Sequence, residues 1–171
     1  MALESCPPGL IGTCCLLYNG RVDSRALYDL DFLEWTHCNA DLLRAGRFHE
    51  ADIVHIAEEI EDMGKSQQNA LQSRLEILLA HLLKWQFLPG RRSSSWQETI
   101  DTQRDRISDL LEQMPSLRRL LTANLSKAYS RAVRRASRET GLPKSTFPPA
   151  CPFNIDEVLD QGFGGEQPEG V

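Results

Sequence analysis

Four polar residues stand at helical spacing between positions 52 and 62. Asp52, His55, Glu59 and Asp62 follow one another at steps of three, four and three. At roughly 100° per residue this spacing sets them in one stripe, flanking an apolar face of Ile53, Ile56, Ile60 and Met63. Glu58 and Glu61 should point to solvent. Carboxylates and an imidazole on one flank are ligand types for a divalent metal such as manganese, iron or zinc, and His81, farther along, is the residue expected to face them. The spacing is not the Glu-x-x-His pair repeated on two helices that di-iron bundles use. The plainer expectation is charge pairing, with Glu59 and Asp62 held by Arg74, Lys84 or Arg104 across a bundle, because a half-buried carboxylate needs compensation. Either way Glu59 should be at least half buried, since its angular position brings it nearest the core. No cofactor is predicted, and a divalent metal belongs to the first reading alone.

A second constellation is basic. Lys127, Arg131, Arg134 and Arg138 recur at steps of four, three and four, away from the face carrying Ala128 and Ala132. From Pro115 to Gly141 seven Lys or Arg meet one Glu, whereas His49 to Gly64 holds six acids and no Lys or Arg. The basic stripe therefore reads as a solvated face, a partner for acids within the chain, or a binding surface for phosphate or an acidic partner. The third constellation is the turn Arg91-Arg92-Ser93-Ser94-Ser95. An anion would find hydroxyls, amides and two guanidinium groups there, with Arg91, Arg92 and Ser95 as its contacts, although serines so placed more often cap a helix. The chain shows no glycine-rich phosphate loop, nucleophile elbow or His-Glu-x-x-His helix, so catalytic residues are unknown.

These residues are positioned by helices that the punctuation marks out. Asp29 or Asp31 caps a first helix that ends at Gly46. A second is predicted from about His49 to Met63, stopped by Gly64, and a third from about Ser66 to Phe87, closed by Pro89-Gly90. A fourth should run from Trp96 to Met114, and Pro115 should open a fifth that ends at Gly141. Leu71, Leu75, Leu78, Leu82 and Trp85, with Ile77, Leu79 and Leu83, make the third helix apolar most of the way round, which marks it as central. On the fourth, Gln103 shares a seam with Trp96, Ile100, Ile107, Leu110 and Met114, so its amide is expected to be buried and bonded to another helix. The fold class is all-α, a compact bundle of about five helices, four of them forming the main core.

Composition sets the outer limits. With 171 residues, 41% of them hydrophobic and 25% charged, the chain suits one globular domain with a real core. Residues 28–163 form that expected domain, between a flexible leader at 1–27, which includes Pro7-Pro8-Gly9, and a flexible tail at 164–171. The formal net charge of -5 gives no general attraction to nucleic acid. No apolar run approaches the roughly 20 residues that span a bilayer. Five scattered cysteines, Cys6, Cys14, Cys15, Cys38 and Cys151, without metal-ligand spacing, read as reduced thiols of a cytoplasmic protein.

Several short motifs occur in one order. Tyr28-Asp29-Leu30-Asp31-Phe32 with Trp35, Leu42-Leu43-Arg44-Ala45-Gly46-Arg47-Phe48 and Glu58-Glu59-Ile60-Glu61-Asp62-Met63-Gly64 open the series. His81-Leu82-Leu83-Lys84-Trp85, Ser95-Trp96, Pro115-Ser116-Leu117, Ala128-Tyr129, Glu139-Thr140-Gly141-Leu142 and Phe147-Pro148 with Cys151-Pro152 continue it. In these the chain resembles the bacterial domain-of-unknown-function family 29. The resemblance covers about residues 28 to 163 and implies a compact helical bundle, with no catalytic residues to carry over. The chain departs from it in the long leader, and in Phe163-Gly164-Gly165, where the family is expected to place a bulky residue and a proline after the Phe.

Two functions of different class follow. The first is a non-enzymatic helical interaction module whose partner is another protein, a second copy of the chain included, with neither nucleic acid nor membrane. The second is a metal-dependent hydrolase acting on phosphate esters or nucleic acid. There Glu59, Asp62 and His81 would hold the ion, and Arg104 or Lys84 would stabilise developing negative charge.

Overall fold

A computed structural model describes residues 24–163, all of whose regular structure is helical. Residues 1–23 and 164–171, most of the leader and the tail, lie outside the described residues. The chain divides into two compact units, 1–64 and 65–171.

In the first unit α1 (Ser24–Leu30) is followed by α2 (Phe32–Arg44). Asp31 caps α2 by accepting a hydrogen bond from the Glu34 amide at 3.0 Å, and Gly46, at φ 71°, turns the chain after it. Both signals were legible in the residue types. α1 was not, since it falls partly in the expected leader, and its Leu27 is buried with Trp35, Cys38 and Leu42 in a small core. Cys38 is 2% exposed within that core, while Cys6, Cys14 and Cys15 lie outside the described residues. Cys151 is a free thiol.

The predicted second and third helices are one. α3 runs unbroken for 35 residues from Ile53 to Phe87, with Gly64 inside it. A lone glycine costs a helix only about 1 kcal/mol against alanine, and nothing in the polar stretch after it, Lys65 to Asn69, forces a turn.

In the second unit the C-terminal part of α3 meets α4 (Ser94–Gln113), α5 (Arg118–Thr140) and the short α6 (Ile155–Leu159) around one core. Leu78, Leu79, Leu83, Ile100 and Ile107 are fully buried there, as are Ala128, Ala132 and Ala136 on α5, whose small side chains admit a close neighbour. Gly141, left-handed at φ 77°, ends α5, and a 3₁₀ turn at Lys144–Thr146 follows. α6 opens on a capping box, Asn154 with Glu157. The seam of α4 differs from the expected one. Ile100, Arg104, Ile107 and Leu111 are its buried residues, so Arg104 takes the inward place assigned to Gln103. Gln103 is half-buried, with a buried Oε1 that has no hydrogen-bond partner.

Candidate functional site

The first unit builds a polar cluster around the start of α3. Asp52 is the residue before Ile53, and its Oδ1 lies 3.5 Å from the His55 amide, so the carboxylate sits over the helix N-terminus as an acidic cap. Its side chain is wholly buried. Trp35 donates its indole N–H to Oδ2 at 3.3 Å, and His55 Nδ1 lies 2.5 Å from the same oxygen. The Asp52 amide donates to Asn39 Oδ1 at 2.8 Å, and Asn39 Nδ2 donates to the Trp35 carbonyl at 2.9 Å. Trp35 and Asn39 lie one helical turn apart on α2 and hold the carboxylate and the amide of Asp52, and with them the start of α3, against α2.

The electrostatics follow from these contacts. Burial by itself would raise the Asp52 carboxyl, but the hydrogen bonds from His55 and Trp35 outweigh it and hold it below the usual carboxylate range. The bond to Asp52 raises His55 above its ordinary value. Tyr28 stacks on the imidazole with ring centroids 4.0 Å apart and planes 8° from parallel. Its hydroxyl donates to Glu59 Oε1 at 2.5 Å, a bond that pushes the phenol up to about 12. Glu59 is more than half buried, as expected, and among the described residues it accepts from this phenol, not from the Arg74, Lys84 or Arg104 expected as its cation. A carboxylate that orients an imidazole through Nδ1 is an arrangement used in general-base chemistry. In this cluster it also fixes the first turn of α3.

The other polar residues singled out from the sequence lie elsewhere. Asp62 is exposed. His81 and Lys84 belong to the second unit. His81 donates Nδ1–H to the Ile77 carbonyl at 2.9 Å, and burial lowers its pKa. Lys84, only 3% exposed, donates to Glu139 at 2.7 Å and lies 4.9 Å from the centroid of the Trp96 ring. Burial alone would raise Glu139, yet its bonds from Lys84 and Arg135 hold it low. Arg104, 1% exposed, donates to the carbonyls of Val158, Gln161 and Phe163 at 3.0, 3.4 and 2.5 Å. Burial lowers its pKa, and three carbonyl dipoles stabilise the charge that remains. It clamps the C-terminal segment, and its guanidinium points at backbone. Among the described residues no group of three or more His, Cys, Asp or Glu is arranged to hold a metal ion.

The serine turn caps α4. Ser93 accepts from the Trp96 amide at 3.4 Å, and Ser95 Oγ shares a hydrogen bond with Ser93 Oγ. Arg92 donates to the Trp85 carbonyl at 3.0 Å and covers that indole ring at 5.0 Å, while Arg91 is exposed. The basic stripe is different. Arg131, Arg134 and Arg138 line one open cavity, and Lys127, one turn before Arg131, is exposed.

Sequence reasoning did not single out Tyr28, Trp35 and Asn39 as parts of a polar cluster. The usable signal was Trp35, whose indole N–H needs an acceptor when buried, with Asp52 and His55 spaced as a cap three residues apart.

Helices throughout, a capped polar cluster in one unit and a basic cavity in the other describe an all-α helical protein. Residues 27–164 match the family described as Domain of unknown function DUF29, and the chain belongs to that family. Neither the curated proteins nor the solved structures offered a match to it.

Proposed function

We propose that the chain is a non-enzymatic interaction module that uses the apolar surface of its first unit to engage another protein. One observation carries this reading. Among the described residues every exposed large hydrophobic side chain lies between Leu30 and Met63. Ile53, Ile60 and Met63, at 49%, 64% and 69% exposure, belong to the apolar stripe read from the sequence, and of that stripe Ile56 is the one packed on the small core. Leu30, Phe32, Leu33, Phe48 and Val54 add to the exposed apolar area. A regular apolar stripe on a long helix is stabilised by burial, at roughly 25 cal/mol per Å². Left in water, such a surface marks an interface. Glu58, Glu61 and Asp62, all exposed, rim the stripe with negative charge. The partner that fits is an apolar helical face laid along α3.

The surface is tested by dye binding. Replacing Ile60 and Met63 together by Glu changes two exposed positions, so thermal stability should move by no more than about 0.5 kcal/mol per site. Fluorescence of a hydrophobic dye such as anilinonaphthalene sulfonate should fall clearly. Unchanged dye binding, or collapse of the fold, contradicts an exposed interaction stripe.

A further inference from the structure

The second unit holds a basic cavity that the protein-docking reading leaves unused. Arg131, Arg134 and Arg138 succeed one another on one side of α5, and with Glu76, Ser137 and Lys144 they line an open cavity of about 410 Å³. Gly141 ends α5 in a left-handed turn, and Lys144 joins the cavity from the 3₁₀ turn that follows. The neighbouring Arg135 is already engaged, 3.9 Å from Glu76 and 2.9 Å from Glu139. Glu76 is thus shared with a cation outside the cavity. Arg131, Arg134, Arg138 and Lys144 have no ion-pair partner among the described residues. Four cations held around one cavity repel one another, and a multiply charged anion relieves that repulsion.

A second cavity of about 510 Å³ adjoins the first, for Arg134 and Lys144 line both. Its further lining includes Val133, Phe147, Pro148 and Pro149. Its rim is fixed by Tyr129, whose hydroxyl donates to the Pro148 carbonyl at 2.6 Å. The groove therefore has a cationic half and an apolar half.

We infer that this groove binds a phosphate monoester carrying an apolar or aromatic group, the phosphate among Arg131, Arg134, Arg138 and Lys144 and the apolar group against Val133 and Pro148-Pro149. A monoester carries about -1.5 to -2 charge and three acceptor oxygens, which suit several guanidinium forks at once. A nucleic acid instead spreads single charges along a track, whereas here Arg131, Arg134, Arg138 and Lys144 gather round one cavity on a chain of net charge -5. A free aryl phosphate and a phosphorylated side chain of a protein present the same chemistry.

Calorimetric titration of the full chain at low salt tests the inference with inorganic phosphate, phenyl phosphate and a short phosphotyrosine peptide. Phenyl phosphate should bind at least about tenfold more tightly than inorganic phosphate. The double change R131E and R134E should weaken both about tenfold or more, with the helical circular dichroism unchanged, while Arg134→Lys should retain part of the binding. V133S should weaken phenyl phosphate alone. Tighter binding of the peptide than of phenyl phosphate supports the site with a protein as its source, and equal or weaker binding supports it with a free ester. The inference is overturned if millimolar phenyl phosphate gives no binding, if both phosphates bind equally, or if single-stranded DNA displaces phenyl phosphate at lower concentration than the ester itself.

Discussion

Replacing Arg104 by Met removes the charge that holds the C-terminal segment and keeps most of the side-chain volume. Three hydrogen bonds from the guanidinium to the Val158, Gln161 and Phe163 carbonyls are lost. Bonds to a charged group contribute about 1.5–3 kcal/mol each, so three at full strength are worth roughly 5–9 kcal/mol. A methionine of similar volume packs there without a buried charge, which offsets about 1–4 kcal/mol of this loss. The net expectation is a destabilisation of about 2–4 kcal/mol. Urea unfolding monitored by circular dichroism measures it. Because the lost bonds tie down α6 and the turn after it, limited proteolysis should cut the variant between 154 and 163 before the core helices. Arg104→Lys should recover less than half the loss, since one ammonium cannot replace a planar fork reaching three carbonyls. A change below about 0.5 kcal/mol with an unchanged cleavage pattern would refute the clamp.

The two buried or half-buried histidines should titrate in opposite senses, and proton NMR of their ring resonances reads each directly. His55, raised by Asp52, should titrate above 6.5, and His81, lowered by burial, below it. By linkage, the His55 contribution to stability is fully present below 6.5 and fades as pH rises through its elevated pKa. That of Asp52 is present above 3.8 and fades as pH falls through its depressed value. His81 acts oppositely to His55, because protonating it in the folded state is disfavoured, so it destabilises as pH falls below 6.5. Titration of both histidines at 6.5 would contradict these environments. Gly64→Ala should stabilise the chain by about 1 kcal/mol, raising Tm by about 2–4 °C, since Gly64 is helical and an added Cβ meets nothing within 4 Å. A lowered Tm would mean that the helix needs glycine there.

The helix ends were legible because caps are local chemistry. Asp31, Ser93 and Gly141 act within a few residues of themselves, so residue type and position suffice to find them. The junction at Gly64 was misread because a glycine lowers helix stability by an amount that packing easily exceeds. α6 is only five residues long, but its Asn154-x-x-Glu157 box was a readable signal. Arg104 was hidden for another reason. A pattern reading keeps charges out of a seam, and the carbonyls that make this burial tolerable begin 54 residues away at Val158. The stripe of Ile53, Ile56, Ile60 and Met63 shows what periodicity leaves open. It locates an apolar face on α3, and only the structure shows how little of that face the described residues cover. In the candidate cluster the Asp52 and His55 pair was visible as a spacing, whereas Tyr28, 31 residues from Glu59, meets it through tertiary packing alone.

The most direct measurement is site-specific photo-crosslinking in cells that express the full chain. A benzophenone side chain is placed at Ile60 in one variant and at Ser108, an exposed residue of α4, in another. One dominant protein adduct is expected at position 60, absent at position 108 and lost when Met63 is also changed to Glu. Once reconstituted with the purified chain, that partner should bind at least about tenfold more weakly to the I60E variant. Equal, heterogeneous labelling at both positions, or full binding by I60E, would contradict a protein interface on the apolar stripe of α3.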